Sequence, residues 1–292
     1  MKSNLKFIIG VDGGGSGTRV LISHPDNLKP LASAEGAPSA LGLGVEKAWR
    51  AIMKTIAQAF ANANLKVPML SECAMGLGLS GANNIVWKNE FLLRNPGFKT
   101  IVLDTDGYTT LLGAHGGKPG VIVAVGTGSV AMRLSPNGER KDASGWGFPS
   151  GDESSGAWLG LKACALTQKA FDGRRSASAL TESIKHNCGV TSNEFLNWLG
   201  NAEQTEFASL APLIFQTASA DPESRALLIK AGLEIAEMVN ALDPKAELPL
   251  SICGRLGEAL IDYLPSEIKR RHQNALGEST MGALHLIAEQ LK

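Results

Sequence analysis

Two glycine-rich turns and one pair of aspartates are the residues of this 292-residue chain whose types and spacing suit chemistry. The first turn is Asp12-Gly13-Gly14-Gly15-Ser16-Gly17-Thr18, between Phe7-Ile8-Ile9-Gly10-Val11 and Arg19-Val20-Leu21-Ile22. The second is Gly126-Thr127-Gly128-Ser129, between Val121-Ile122-Val123-Ala124-Val125 and Val130-Ala131-Met132. Each reads as strand, glycine turn, strand. Glycines without a Cβ let successive backbone N–H groups converge on an anion. Asp12 at the lip is placed to hold a hydrated divalent cation, and Ser16 and Thr18 to donate to phosphate oxygens. A hairpin with no ligand is the plainer alternative, but three consecutive glycines exceed what a tight turn needs.

Two better-known phosphate loops are excluded. A Walker loop ends in Gly-Lys-Ser/Thr and opens a helix. After Gly15 no lysine follows. The similar string Gly113 to Lys118 has Leu112 and Pro119 where the motif needs glycine and a hydroxyl. A Rossmann fingerprint also opens a helix, and its last glycine position counted from Gly13 is Thr18.

The elements around these turns follow from periodicity. Leu31 to Glu35 reads as extended and Gly36-Ala37-Pro38-Ser39 as a loop. Val45 to Leu65 is an amphipathic helix, with Val45, Ala48, Trp49, Ile52, Ile56 and Phe60 on one face, so Trp49 is a core residue. Cys73 to Leu79 is a buried strand, and Trp87 to Arg94 a helix. Thr100 to Leu103 is a short strand that delivers Asp104-Thr105-Asp106-Gly107 at its carboxyl end, where open α/β sheets bind ligands. Those aspartates are either catalytic or a cap for the helix Tyr108 to Ala114. Asp152, in the irregular stretch Gly145 to Gly156, is a binding residue, the N-cap of a helix from about Ser154 to Phe171, or both. Helices are expected over 191–199, 206–220, 222–242, 257–263 and 279–291. The turn after Leu248 to Cys253 either admits a flat ring at Gly254 or serves close helix–strand packing.

Composition narrows the class. Lys+Arg and Asp+Glu both number 28, which gives no electrostatic footprint for nucleic acid or a membrane surface. No apolar run reaches the roughly 20 residues of a membrane helix. Met1 to Lys6 leads directly into the first strand, so a cytoplasmic protein without a signal peptide is expected. The four cysteines, Cys73, Cys164, Cys188 and Cys253, form no CxxC pair and are expected as reduced thiols. The length favours two domains.

Together these residues resemble the BadF/BadG/BcrA/BcrD branch of the sugar kinase, actin and Hsp70 superfamily, and within it the N-acetylglucosamine and glucosamine kinases. The resemblance rests on Asp12 to Ser16, Thr105-Asp106, Gly126 to Ser129, Gly145-Trp146-Gly147, Gly151 to Ser154 and the helix start Asp221-Pro222. It implies an α/β fold of two actin-like (ribonuclease H-like) lobes. Each would be a mixed sheet flanked by helices, with nucleotide and sugar in the cleft between them. The lobes would span 1–116 and 117–292, with the last helix a candidate to pack back on the first lobe.

The resemblance also implies roles. Asp12 would organise Mg²⁺ through water. Gly13, Gly14, Gly15 and Ser16, with Thr18 beside them, would hold ATP phosphates, as would Gly126, Thr127, Gly128 and Ser129. Gly254 would border the adenosine. Asp106 would be the catalytic base on the sugar, and Gly145, Trp146, Gly147 and Asp152 would bind it. Several relatives place an asparagine on the sugar from the loop after the third strand. Here that loop is Pro38-Ser39-Ala40-Leu41, with Ser39 as the substitute. The implied reaction is ATP- and Mg²⁺-dependent phosphorylation of N-acetylglucosamine or glucosamine at its 6-hydroxyl, by a homodimer. The competing readings are a kinase for another hexose or a muropeptide-derived sugar, a non-catalytic sugar sensor, and an activating ATPase of a radical dehydratase. The last would need paired cysteines for an iron–sulfur cluster.

Overall fold

The structure is a computed structural model that describes residues 5–292. The direct run from Met1 into the first strand therefore lies partly outside the described residues. In chain order the elements are β1 (Phe7–Gly13), β2 (Thr18–Ser23), β3 (Pro30–Gly36), α1 (Val45–Asn62), β4 (Cys73–Leu79), α2 (Ile85–Leu93), β5 (Thr100–Asp104) and α3 (Asp106–Ala114). There follow β6 (Gly120–Val125), β7 (Ser129–Leu134), β8 (Arg140–Ser144), α4 (Gly156–Phe171), α5 (Ala179–Cys188), α6 (Ser192–Asn201), α7 (Gln204–Ala208) and α8 (Ala211–Thr217). The chain ends with α9 (Pro222–Leu242), β9 (Leu250–Cys253), α10 (Arg255–Leu260), α11 (Ser266–Arg271) and α12 (Ser279–Gln290). They form two compact units. One holds the chain up to Gly120, Leu134–Gly138 and Asn274–Lys292; the other holds Val121–Arg133 and Glu139–Gln273.

The first unit is built on a five-stranded sheet of order β3-β2-β1-β4-β5. β2 runs antiparallel to β1 and β3, while β4 is parallel to both β1 and β5. β1 and β4 are apolar without alternation because both faces are covered. On one face lies α1, whose Ala48, Ile52, Ile56 and Phe60 are buried with Ile9, Val11 and Val20 of the sheet. Trp49 is core, stacked on Phe91 at 4.2 Å with its indole N–H donated to the Phe91 carbonyl at 3.1 Å. The other face carries α12, with Leu284 and Ile287 packed on Ile8 and Ala74. α12 comes so close that a Cβ at Gly10 or Gly76 would strike the carbonyls of Thr280 or Ala283. A Cβ at Gly282 would likewise strike the Thr109 carbonyl of α3. In register, Asp12, Gly78 and Asp104 stand side by side across β1, β4 and β5 at their carboxyl ends.

The second unit has a four-stranded sheet of order β8-β7-β6-β9, with β9 parallel to β6. Val121, Val123 and Val125 of β6 share one core with Ala157 and Leu159 of α4 and Leu228, Ile235 and Val239 of α9. The expected helix over 206–220 is two helices, α7 and α8. Pro212 falls in the first turn of α8, where a missing N–H costs nothing, whereas it would break a continuous helix. The helix expected from Ser154 begins at Gly156, capped by Ser155, whose hydroxyl accepts from Trp158 N. β8, α5 and α11 were not expected from the sequence. The short exposed β8 (Arg140–Ser144) has no apolar alternation to announce it.

The α3–α12 contact is testable with a single methyl group. Gly282→Ala should lower the thermal midpoint by several degrees, since overpacking of this kind costs about 1–3 kcal/mol. Gly200→Ala, in α6 with nothing within 4 Å of the added carbon, should raise it slightly, because alanine is the better helix former by about 0.5–1 kcal/mol. Thermal unfolding of both variants checks this, and equal midpoints would refute the packing account.

Candidate active site

In the first unit the site gathers at the carboxyl ends of β1, β4 and β5. The hairpin tip runs from Gly14 to Gly17, and Gly14 N donates to Gly17 O at 3.0 Å. The two carbonyls at its base are turned inward. Gly13 O accepts from Ser80 N at 2.8 Å, and Gly14 O from Ser39 N and Ala40 N at 3.1 and 3.2 Å. Carbonyl oxygens held this way do not face an incoming anion. Gly14 and Gly15 have open space where a Cβ would point, and Ser16 is exposed.

Asp12 sits at the lip as expected, but it is not alone. Arg19, its cross-strand neighbour, reaches Asp12 Oδ2 with Nη2 at 2.8 Å and also approaches Glu278 Oε2 at 3.4 Å. Burial pushes the Asp12 carboxyl upward, while Arg19 and the Ser279 hydroxyl oppose that rise. Among the described residues no group of three or more His, Cys, Asp or Glu side chains could hold a metal ion. A single carboxylate fits Mg²⁺ nonetheless, because this ion usually keeps water and substrate phosphates in its shell and takes only one or two protein carboxylates.

Asp106 is the first residue of α3. Thr105 is the cap, its Oγ1 accepting from Tyr108 N at 3.2 Å. The capping alternative for the aspartates therefore belongs to Thr105, and Asp106 is left for other work. Its Oδ1 accepts from Gly107 N at 2.9 Å. Burial raises its pKa, the Gly107 N–H pulls the other way, and the Asp12 charge adds to the rise.

Two hydroxyls of this unit differ from expectation. Thr18 is buried, with Oγ1 at 2.5 Å from Ala37 O and 2.7 Å from Ser39 Oγ. Ser39 is also fully buried, and its hydroxyl occupies the space where a Cβ on Gly13 would stand. Both are braces under the hairpin. Packed this way, the two hydroxyls favour a bracing role over the phosphate role expected of Thr18 and the sugar role expected of Ser39.

In the second unit the tip Gly126-Thr127-Gly128 is pinned in the same manner. Gly126 O accepts from Gly156 N at 2.9 Å and Thr127 O from Ala157 N at 3.2 Å, so the first N–H groups of α4 hold the tip. Gly126 and Thr127 are exposed. Ser129 is buried and donates its hydroxyl to Glu153 O at 2.6 Å, which favours a structural role for its side chain over the phosphate role expected of it. Gly254 has φ +87°, a conformation open to glycine. A Cβ there would strike the Val125 carbonyl, which sets this turn against the strand entering the hairpin.

The loop Gly145 to Ser154 is held in conformations that side chains rarely adopt. Gly145, Gly147, Asp152 and Ser154 all have positive φ, from 57° to 88°. The Trp146 indole is 86% exposed. Asp152 is buried and is not a helix cap. Its Oδ1 accepts from Gly147 N at 3.0 Å and its Oδ2 from Gln204 Nε2 at 3.1 Å. Burial raises its pKa against those two donors. Sequence reasoning missed Arg19 and Gln204. The register of the first hairpin announces Arg19, but nothing local joins Gln204 to a residue 52 positions away.

The four cysteines are buried, and burial pushes their thiols up, Cys73 and Cys188 to about 11 and Cys164 and Cys253 to about 12. No helix among the described residues is long and apolar enough to cross a membrane.

The chain is similar to a glucosamine kinase, GspK, from Vibrio cholerae, 28% identical over 96% of this chain and 95% of that one. It is also similar to an N-acetylmuramic acid/N-acetylglucosamine kinase from Clostridium acetobutylicum, 29% identical over 82% of this chain and 79% of its relative. Among solved structures it resembles a candidate N-acetylglucosamine kinase from Chromobacterium violaceum, with a TM-score of 0.94 and 49% identity over 97% of this chain and 99% of that one. Residues 9–248 match the profile of one family, and the chain belongs to it: the BadF/BadG/BcrA/BcrD ATPase family.

Proposed function

We propose that this protein is an ATP-dependent sugar kinase that phosphorylates an amino sugar, glucosamine or N-acetylglucosamine, at its 6-hydroxyl. The observation that carries the reading is Asp106: a half-buried carboxylate, released from capping by Thr105, beside the Asp12 lip of a hairpin whose Gly13 and Gly14 carbonyls are held inside the protein. The names of the relatives supply the substrate class.

Phosphoryl transfer asks for positioning and charge stabilisation more than covalent chemistry. The two glycine tips bind phosphate oxygens through the N–H groups that do not close the turns, since Gly14 N already donates to Gly17 O and Gly126 N to Gly128 O. Asp12 holds the hydrated Mg²⁺, which when bound neutralises charge on the phosphates. Asp106 accepts the proton of the sugar hydroxyl as that oxygen forms its bond to the γ-phosphorus and ADP leaves. Gly145, Gly147 and Asp152 orient the sugar, the exposed Trp146 indole offers it an apolar face, and Gly254 borders the adenine.

An ADP-release assay with Mg-ATP over glucosamine, N-acetylglucosamine, N-acetylmuramic acid, N-acetylmannosamine, glucose and no sugar tests the class. Sugar-dependent turnover with an amino sugar is expected. ATP hydrolysis indifferent to every sugar would overturn the reading in favour of an activating ATPase.

Asp106→Asn should lower kcat by about 10²–10⁴-fold, the usual worth of a positioned base, with little change in the sugar KM. The wild-type rate should fall as pH drops through the Asp106 pKa, because only the ionised form accepts the proton. Since burial, the largest cause, raises that pKa from 3.8, the acid limb should lie above that of a free aspartate. An acid limb at or below the free-aspartate value would refute the assignment. Ser39→Ala, as loss of a brace, should raise the KM for ATP several-fold and leave the sugar KM nearly unchanged. The opposite split would return Ser39 to the sugar.

A further inference from the structure

Asp152 is a buried carboxylate whose two oxygens are held by neutral donors from different segments. Oδ1 takes the Gly147 N–H, within its own loop, and Oδ2 takes the Gln204 amide, from α7. Oδ2 also lies 2.6 Å from where a Cβ on Gly128 would stand, so the carboxylate is wedged under the second hairpin tip. An ionised carboxyl accepts about four hydrogen bonds. Two positions are filled by the protein, and the remaining pair point where those donors do not. The direction left open is therefore set by the donor fixed to the more rigid support.

That support is α7. Its start is locked by a capping box, in which Glu203 N donates to Glu206 Oε2 at 3.0 Å. Phe207 packs on Phe148 and on Trp198, both at 5.3 Å between ring centroids. The α7 backbone sits against α4 at Gly160, where a Cβ would strike the Phe207 carbonyl. α4 in turn holds the tip Gly126-Thr127. The loop that carries Asp152 is fixed in its backbone, with Ser155 N on the Asp152 carbonyl at 3.1 Å and the Ser129 hydroxyl on Glu153 O at 2.6 Å, so what the Gln204 amide adds is the aim of the carboxylate itself.

We propose that Gln204 is a positioning residue for the sugar: it fixes the Asp152 carboxylate so that its free lone pairs face the sugar hydroxyls, and ties that carboxylate to the second phosphate hairpin. This rests on the sugar-kinase reading above. Gln204 acts through Asp152, not by touching the reacting atoms. Without its amide the carboxylate rotates away from Gly128 and loses its aim, while the nucleotide contacts of the tip stay in place.

The test is a double-mutant cycle read by calorimetric sugar binding and, separately, by ADP binding. Gln204→Leu should weaken sugar binding roughly tenfold, the scale of a lost hydrogen bond to a charged group. ADP binding should change by less than about twofold. In an Asp152→Asn background, Gln204→Leu should have less than about twofold further effect on sugar, since its partner is already altered. Gln204→Glu, isosteric but facing a carboxylate, should lose more than Gln204→Leu, and decides the matter if the leucine variant does not fold. Equal, additive losses in both backgrounds would overturn the proposal, as would equal loss of ADP binding. If Asp152→Asn weakens sugar binding and both Gln204 variants bind like wild type, Gln204 alone is refuted. If the wild type binds no sugar of the panel, both this proposal and the sugar-kinase reading fall.

Discussion

The constraint on which the rest depends is the disposal of backbone carbonyls at the two glycine tips. A turn that presents N–H groups to a polyanion also carries carbonyl oxygens of the wrong sign within the same few residues. Every buried carbonyl needs a donor, and here the donors come from inside the protein. In the first tip they are the N–H groups of Ser39, Ala40 and Ser80. In the second they are the N–H groups of Gly156 and Ala157, the opening of α4. One solution uses loops after β3 and β4, the other a helix N-terminus. The same electrostatic problem is thus met twice by unrelated local structure. This explains why Thr18, Ser39 and Ser129 are packed inward: they hold the loops that hold the carbonyls.

The second feature is a set of wholly or partly buried carboxylates, each with different partners. Asp12 has a guanidinium, Asp106 backbone N–H groups and a like charge nearby, and Asp152 two neutral donors. Burial favours the protonated form in all three, and each meets it with different neighbours. On the proposed reading Asp12, with a guanidinium beside it, holds the cation, and Asp106 takes up the proton. Perturbed carboxylates in such places mark function more often than structure. The distribution of partners, not the residue type, separates the roles.

Much of this was legible because it is local. The hairpins, the helix α1 with its Trp49 face, and the aspartates after β5 each lie within one continuous stretch, so periodicity and glycine placement expose them. The braces were not legible. Ser39 lies where relatives were expected to carry a sugar ligand, and nothing in Pro38-Ser39-Ala40 reveals that its hydroxyl fills the space behind Gly13. That space exists only because β1 and the loop after β3 approach within a hydroxyl's width, which is a tertiary fact. Likewise Asp152 and Ser155 are both good capping residues by type. Backbone conformation chose Ser155, since Asp152 sits at positive φ, off the path into α4.

The same division runs through the proposed chemistry. Residues assigned to ATP are consecutive along the chain, because a phosphate is met by adjacent backbone N–H groups. Residues assigned to the sugar are dispersed, because several hydroxyls pointing in different directions need donors and acceptors from several elements. Gly147, Asp152 and Gln204 meet across two segments, the loop after β8 and the start of α7, whose Phe207 seats against Gly160 of α4. On the proposed reading the packing of α7 aims the sugar site, and because α7 rests on the α4 whose first N–H groups hold the second tip, a change in the core beneath Phe207 reaches both.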